Sequence, residues 1–193
     1  MSDFHQNGVI STLHNLSTRS LDDIERELRD YSKSAPIELI LPSLYSELEG
    51  PALKNIVECL SKVKYLNHIT IGLDRATKKE YIKAKEFFSN LNQSHSVLWN
   101  DSPKMKKLDK DFMALGIAPD QAGKGKNVWY CMGYTYSRNE AKVVALHDCD
   151  IMTYSRELLA KLVYPVADPH FNYEFCKGYY PRVRDGSLGG RVT

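Results

Sequence analysis

The sequence reads Val143-Val144-Ala145-Leu146-His147-Asp148-Cys149-Asp150-Ile151 at the point that decides the fold. Four apolar residues and a histidine are followed by two aspartates with one residue between them. This order predicts a buried strand that ends at a polar site. In an extended backbone, residues two apart point to the same side and lie about 6.6 Å apart. Asp148 and Asp150 would then share one divalent cation, Mg²⁺ or Mn²⁺, directly or through its waters. The alternative is a plain solvated turn, in which Asp-x-Asp is common. His147 would face the opposite side as a structural histidine.

Strand and helix patterns alternate along the rest of the chain. Short runs rich in β-branched residues predict strands at Ile37–Leu41, His68–Leu73 and Ser96–Trp99. Helix-start signals fall between them, at Ser20 with Asp23, at Pro51, and at Thr77 with Glu80. This alternation predicts an α/β fold with a mostly parallel central sheet and helices on both faces.

Polar segments follow three of the predicted strands. Pro42–Glu47 comes after the first strand, Asp74 after the second, and Asp148 and Asp150 after the strand at Val143. In parallel α/β sheets, ligands bind beyond the carboxyl ends of the strands. These segments are therefore expected to converge on one edge of the sheet.

Composition limits the classes of protein to which the chain can belong. Its 193 residues are 42% hydrophobic and 26% charged, which suits one globular domain preceded by an arm and helix over residues 1–35. A net charge of +2 gives no field that would recruit nucleic acid or a membrane, so neither partner is expected. The four cysteines are widely spaced and form no CxxC pair, which predicts reduced thiols rather than a zinc site. Without a signal peptide or a long apolar run, the expected location is the cytoplasm.

The segment Gly123-Lys124-Gly125-Lys126 resembles a phosphate loop only superficially. For the pair Gly123-Lys124, Ala118 stands where a Walker A motif needs its first glycine, and for the pair Gly125-Lys126, Asn127 stands where the motif needs its serine or threonine. Glycines beside a lysine at a helix start can still bring a backbone and a point charge to a diphosphate. The alternative for this segment is a flexible solvated loop, and the lysines of the preceding helix, Lys104, Lys106, Lys107 and Lys110, are expected to form a solvated face.

Five motifs in order resemble the glucosyl-3-phosphoglycerate synthase family of retaining glycosyltransferases. They are Leu41-Pro42-Ser43-Leu44 with Glu47, Gly123-Lys124-Gly125-Lys126-Asn127-Val128-Trp129, Leu146-His147-Asp148-Cys149-Asp150, Lys177-Gly178-Tyr179-Tyr180, and Gly189-Gly190-Arg191-Val192-Thr193. The last motif is the most specific and the acidic pair the least. The match runs from about residue 36 to the last residue, so the resemblance implies a GT-A, Rossmann-like nucleotide-sugar-binding domain over residues 36–193.

The resemblance also implies roles for particular residues. Pro42, Ser43, Leu44 and Glu47 would receive the base and ribose of the donor, with Asp74 nearby, and Lys124 would contact the diphosphate. Asp148 and Asp150 match the metal-binding pair of the family, and Gly190, Arg191, Val192 and Thr193 match residues that bind 3-phosphoglycerate. The implied reaction transfers a hexose, glucose by the family, from a nucleotide-diphosphate sugar such as UDP-glucose, with retention. No side-chain nucleophile is evident, so no catalytic residue is assigned.

Two departures from the family pattern affect these expectations. Asp74-Arg75-Ala76 stands where the family usually has a small polar turn near the base, which leaves the nucleotide and the sugar open. The family also continues beyond the Gly-Gly-Arg-Val-Thr motif, where it supplies a histidine metal ligand. The chain is therefore expected to be the amino-terminal part of a longer enzyme or a shortened relative, and exposed apolar surface would favour self-association.

Two other functions stay open. A sugar nucleotidyltransferase would also use a metal and a diphosphate loop, but it would need a glycine-rich, basic loop after the first strand, whereas Pro42–Glu47 has neither feature. A noncatalytic nucleotide-sugar-binding or assembly module would need only the donor side of the site.

Overall fold

The computed structural model describes residues 19–171, 173–178, 183–184 and 187–188, the last two pairs by their backbone alone. The predicted arm before residue 19 and the segment Gly190–Thr193 lie outside the described residues. The elements in chain order are α1 (Leu21–Tyr31), β1 (Ile37–Leu44), a 3-10 turn (Tyr45–Glu49), α2 (Pro51–Ser61), β2 (Leu66–Asp74), α3 (Lys78–Phe88), β3 (His95–Trp99), α4 (Pro103–Ala114), α5 (Lys124–Arg138), β4 (Val143–Leu146), α6 (Arg156–Ala167), β5 (Val183–Arg184) and β6 (Ser187–Leu188).

Three helices, α1, α2 and α3, begin where the sequence signals predict. The Ser20 hydroxyl accepts a hydrogen bond from the Asp23 N–H at the start of α1. Thr77 and Glu80 form a reciprocal capping box at the start of α3, and Pro51 occupies the first turn of α2. The side chains of Ser20 and Thr77 each accept a main-chain N–H that has no acceptor within the helix, and Pro51 has no N–H to satisfy. These three helix starts are therefore determined by residues close in sequence.

A four-stranded parallel sheet forms the centre of the domain, in the order β3-β2-β1-β4. The predicted α/β class is thereby confirmed. β5 and β6 form a separate antiparallel pair. Among the described residues, no helix is long and apolar enough to cross a bilayer.

Helices cover both faces of the sheet. Alternate residues of the strands, such as Leu39 and Ile71, share one apolar core with α1, α2, α3 and α6. On the opposite face, the buried carboxylate of Glu38 accepts a hydrogen bond from Thr135 of α5 (2.6 Å). α1 contributes the fully buried Ile24 and Leu28 to the core, and the division of the chain at residue 35 stays a prediction.

β1 is longer than predicted, because it continues through Pro42 to Leu44 instead of ending at Leu41. The Ile40 carbonyl accepts the His147 N–H (3.1 Å), so the main-chain groups of residues 40 and 42 face β4. The β1–β4 ladder ends at the pair Ile40 and Leu146. The N–H that proline lacks is therefore not needed there, and the strand can pass through Pro42.

The predictions for β4 need two corrections. Only Val143 and Ala145 are buried, whereas Val144 and Leu146 are about 40% exposed, because α5 covers β1 and β2 but not the edge strand. Asp148 and Asp150 also lie beyond the strand, in a segment that turns at Cys149 and Asp150. The prediction that both aspartates lie on the same side of an extended strand is therefore wrong, although both still follow the carboxyl end of β4.

Candidate functional site

A cavity of about 490 Å³ opens at the carboxyl end of the sheet. The eight predicted site residues that the structure describes all line it: Pro42, Ser43, Leu44, Glu47, Asp74, Lys124, Asp148 and Asp150. They come from the ends of β1 and β2, the start of α5 and the turn after β4. The predicted convergence at one sheet edge is what the topology produces.

Glu47 closes the end of β1. One carboxylate oxygen of Glu47 accepts both the Leu44 N–H (2.9 Å) and the Ser43 hydroxyl (3.0 Å). This folds the 3-10 turn back on the strand and leaves Ser43 only 1% exposed. The wall of the cavity here is a backbone segment held by these two hydrogen bonds, which suits contacts to a flat ring or a sugar.

Asp74 ends β2 on the floor of the cavity. Its carboxylate accepts a hydrogen bond from the Asn100 amide (2.7 Å). Burial raises the pKa of Asp74, hydrogen bonds from Asn100 and Asn127 oppose that rise, and the nearby Asp101 adds to it. Arg75 follows in the left-handed region with φ 54°, which turns the chain sharply away from the strand. The cavity therefore holds a partly buried acceptor where the family usually has a small polar turn.

Lys124 and Asp148 both line the cavity and contact each other. Lys124 is the first residue of α5, and its ammonium forms an ion pair with the Asp148 carboxylate. Gly123 precedes it with φ 137°, a conformation that favours glycine. The first N–H groups of a helix have no acceptor within the helix, and in α5 these groups belong to Lys124 and the residues that follow it, so this helix start favours anions.

The two residues beside the acidic pair are buried. Cys149 is 2% exposed, and burial raises the pKa of its thiol. His147 is 3% exposed, its Nδ1 pairs with the Tyr154 hydroxyl (3.1 Å), and its Nε2 has no hydrogen-bond partner among the described residues. Burial lowers the pKa of His147 to about 4, against the opposing charge of Asp148. The structural role predicted for His147 agrees with its burial.

The acidic pair fits a divalent cation that is held jointly with a ligand. In the described part of the chain, no group of three side chains from histidine, cysteine, aspartate and glutamate could hold a metal ion. Mg²⁺ in proteins is commonly bound by one or two carboxylates together with substrate phosphates and waters. Asp148 and Asp150 could supply those carboxylates, with Lys124 beside them for the phosphates.

The cavity also contains residues that the sequence reasoning did not assign. α4 contributes Met105, Lys106 and Asp109, and α5 contributes Lys126 and Asn127. Lys106 is exposed, as the sequence predicts for this face of α4, and its side chain also lines the cavity. Asp109 accepts hydrogen bonds from Lys126 (2.9 Å) and from the Tyr130 hydroxyl (2.6 Å), which fastens α4 to α5. The sequence holds one signal for this contact: Lys126 and Tyr130 are four residues apart, so they lie on the same face of α5.

Fold and site together define an α/β domain of the GT-A type with an acidic and basic cavity at its sheet edge. No protein-family model matches the chain. The chain is 48% identical over its whole length to the glucosyl-3-phosphoglycerate synthase of Persephonella marina. It is 37% identical, over 98% of its length, to the glucosyl-3-phosphoglycerate synthase of Methanococcoides burtonii. These similarities confirm the resemblance inferred from the motifs.

The chain spans about half the length of both relatives, 48% and 47% respectively. It also shares its fold with the crystal structure of glucosyl-3-phosphoglycerate synthase from Mycobacterium tuberculosis, in complex with Mn²⁺, UDP and glucosyl-3-phosphoglycerate. That likeness has a TM-score of 0.50 and 16% sequence identity, and covers 81% of this chain and 46% of the other.

Proposed function

We propose that the chain forms the donor-binding part of a metal-dependent retaining glycosyltransferase that moves glucose from a nucleotide-diphosphate sugar to 3-phosphoglycerate. One observation carries the proposal: a single cavity gathers the β1 end at Pro42–Glu47, the helix start at Lys124, and the acidic pair Asp148 and Asp150. These groups are the complement of a base, a diphosphate and a cation. The similarity of this chain to about half of each of two glucosyl-3-phosphoglycerate synthases supports the choice of sugar and acceptor.

The diphosphate would lie between α5 and the turn after β4. Lys124 supplies a point charge, and the first turn of α5 supplies main-chain N–H donors for phosphate oxygens. Asp148 and Asp150 would hold Mg²⁺ or Mn²⁺. When bound, the cation supplies electrostatic stabilisation of the departing diphosphate. No side chain is assigned as a nucleophile.

The base and ribose would occupy the end of the cavity formed by Pro42–Leu44 and Asp74. The carboxylate of Asp74 is an acceptor, so it suits a base that presents an N–H to it. The proposed acceptor site for 3-phosphoglycerate is the segment Gly190–Thr193, where glycine N–H groups and the planar fork of Arg191 suit a phosphate or carboxylate. That assignment rests on the motif. The four free cysteines accord with a reducing compartment such as the cytoplasm, and self-association stays a prediction.

The nucleotidyltransferase alternative has less support. The segment after β1 forms a tight 3-10 turn held by Glu47, without the glycines and basic residues that would wrap a nucleoside triphosphate. The binding-module alternative has the same donor site as the transferase and differs from it only in turnover. A measurement of turnover therefore distinguishes the two functions.

Calorimetry with UDP, GDP and ADP, each with Mn²⁺ and with chelator, tests the donor site. Metal-dependent binding of at least one nucleotide is expected, and Asp150→Asn should weaken it by tenfold or more. The matched control is Asp111→Asn on the exposed side of α4. Affinity that is the same with and without chelator would contradict the metal site. A second assay mixes the chain, Mn²⁺ and the sugar-nucleotide donor, and then adds 3-phosphoglycerate. Release of nucleoside diphosphate would indicate the transferase, and donor binding without release would indicate the binding module.

A further inference from the structure

Asn127 is a buried polar residue one turn into α5. It is 3% exposed, and its side-chain amide donates to the main-chain oxygen of Gly72 near the end of β2 (2.9 Å). Its side-chain oxygen accepts the Cys131 thiol from the next turn of α5 (3.4 Å). Both ends of the amide are therefore used, and the first turn of α5 is tied to β2.

The approach of α5 to β2 is close enough to require a glycine. A Cβ added at Gly72 would lie 1.8 Å from the Asn127 Oδ1 and 2.5 Å from the Cys131 Sγ. Nothing comparable surrounds Gly125 or Gly133 of the same helix, where an added Cβ would meet no atom within 4 Å. The tight contact is thus confined to Asn127 and its neighbour one turn on.

Asn127 touches the groups that form both ends of the cavity. Its N–H closes the first turn of α5 on the Gly123 carbonyl (3.1 Å), next to Lys124. Gly72, which it holds, lies two residues before Asp74, and the Asn127 side chain is close enough to lower the pKa of the Asp74 carboxyl. A change at this one amide would move the helix start relative to the β2 end.

We propose that Asn127 is a positioning residue that fixes Lys124 and the first turn of α5 at the distance a nucleotide diphosphate needs. The inference rests on the proposed donor site. Asn127 itself need not touch the ligand, since it acts through the backbone of α5.

The test measures the affinity of the 193-residue chain for whichever of UDP, GDP and ADP binds tightest with Mn²⁺. Asn127→Ala is expected to weaken binding about tenfold, since it removes the tie to Gly72. In a Lys124→Ala background, the same change should weaken binding less than twofold, because two residues that act through one interaction are not additive. Asn127→Leu keeps about the same volume but cannot donate to Gly72, and should behave like the alanine variant.

The matched control is Thr135→Val at the far end of α5. Thr135 is also buried and also holds the helix to the sheet, through Glu38 (2.6 Å). This control should lower the melting temperature as Asn127→Ala does, yet leave nucleotide affinity unchanged. Equal losses of affinity in the two variants, or full additivity with Lys124→Ala, would overturn the positioning role alone. If the unmodified chain bound none of the three nucleotides, both this inference and the proposed donor site would be overturned.

Discussion

Lys124 forms an ion pair with Asp148, and so joins the first residue of α5 to the turn after β4. The two side chains are 55% and 44% exposed, and pairs this exposed contribute little to folding stability. The contact is therefore easily exchanged. In the proposed complex, the cation would take the Asp148 carboxylate and the diphosphate would take the Lys124 ammonium.

The first prediction follows from that exchange. Lys124→Met should raise the affinity for Mn²⁺ alone by up to about fivefold, because the cation no longer competes with the ammonium for Asp148. The same variant should bind nucleoside diphosphate in Mn²⁺ at least about tenfold more weakly, because it lacks a charged donor for the phosphates. Calorimetric titrations with Mn²⁺, and then with nucleotide, measure both changes.

Lys107→Met provides the control for charge. Lys107 is exposed on α4, outside the residues that line the cavity. Its replacement by methionine therefore removes the same charge at a position away from the cavity. It should leave both affinities unchanged. Parallel losses of Mn²⁺ and nucleotide affinity in Lys124→Met would show that the lysine does not compete with the cation.

Local signals made much of this fold predictable. The caps at Ser20 and Thr77 lie within a few residues of the N–H groups they satisfy, and Pro51 has no N–H that would need an acceptor, so the sequence alone predicts these three helix starts. The sequence alone also shows the acidic pair, as two carboxylates that follow an apolar run, and the role of this pair in binding a metal stays a prediction.

Other features depend on contacts between distant segments, which composition and periodicity do not reveal. The end of β1 depends on where the β4 ladder stops beside Pro42, so the sequence pattern predicts a strand that is too short. The exposure of Leu146 depends on which strands α5 covers. Asn127 carries no local signal for its contact with Gly72, because a single asparagine in a helix is ordinarily a neutral surface residue.

A second prediction concerns Gly72. Gly72→Ala should destabilise the domain by about 2 kcal/mol or more, because the new methyl group would overlap the Asn127 and Cys131 side chains. Gly133→Ala in the middle of α5 should stabilise it by about 1 kcal/mol, because an alanine there meets open space and favours the helix. Urea unfolding of the two variants measures both values. Equal effects of the two substitutions would contradict the close approach at Gly72.

A third prediction concerns the carboxylate that closes β1. Glu47→Ala should lower the free energy of unfolding by about 2 kcal/mol, because the Leu44 N–H and the Ser43 hydroxyl lose their shared acceptor. It should also weaken nucleotide binding, since the turn shapes the cavity wall. Glu47→Gln keeps an oxygen acceptor and should have a smaller effect on both measurements. Glu49→Ala, on the exposed side of the same turn, is the control and should change neither.

The last prediction concerns pH and the buried imidazole of His147. Its pKa is about 4 in the folded chain against an ordinary value of 6.5, because burial disfavours the charged ring. Between these values the unfolded chain binds the extra proton, so stability is complete above about pH 6.5 and falls as the pH drops towards 4. The loss should reach about 3 kcal/mol by pH 4. His147→Asn has no group that titrates in this range, so the difference in unfolding free energy between it and the unmodified chain should change with pH by that amount. Urea unfolding from pH 7 to 4 in chelator measures it, and parallel pH curves for the two proteins would refute the prediction.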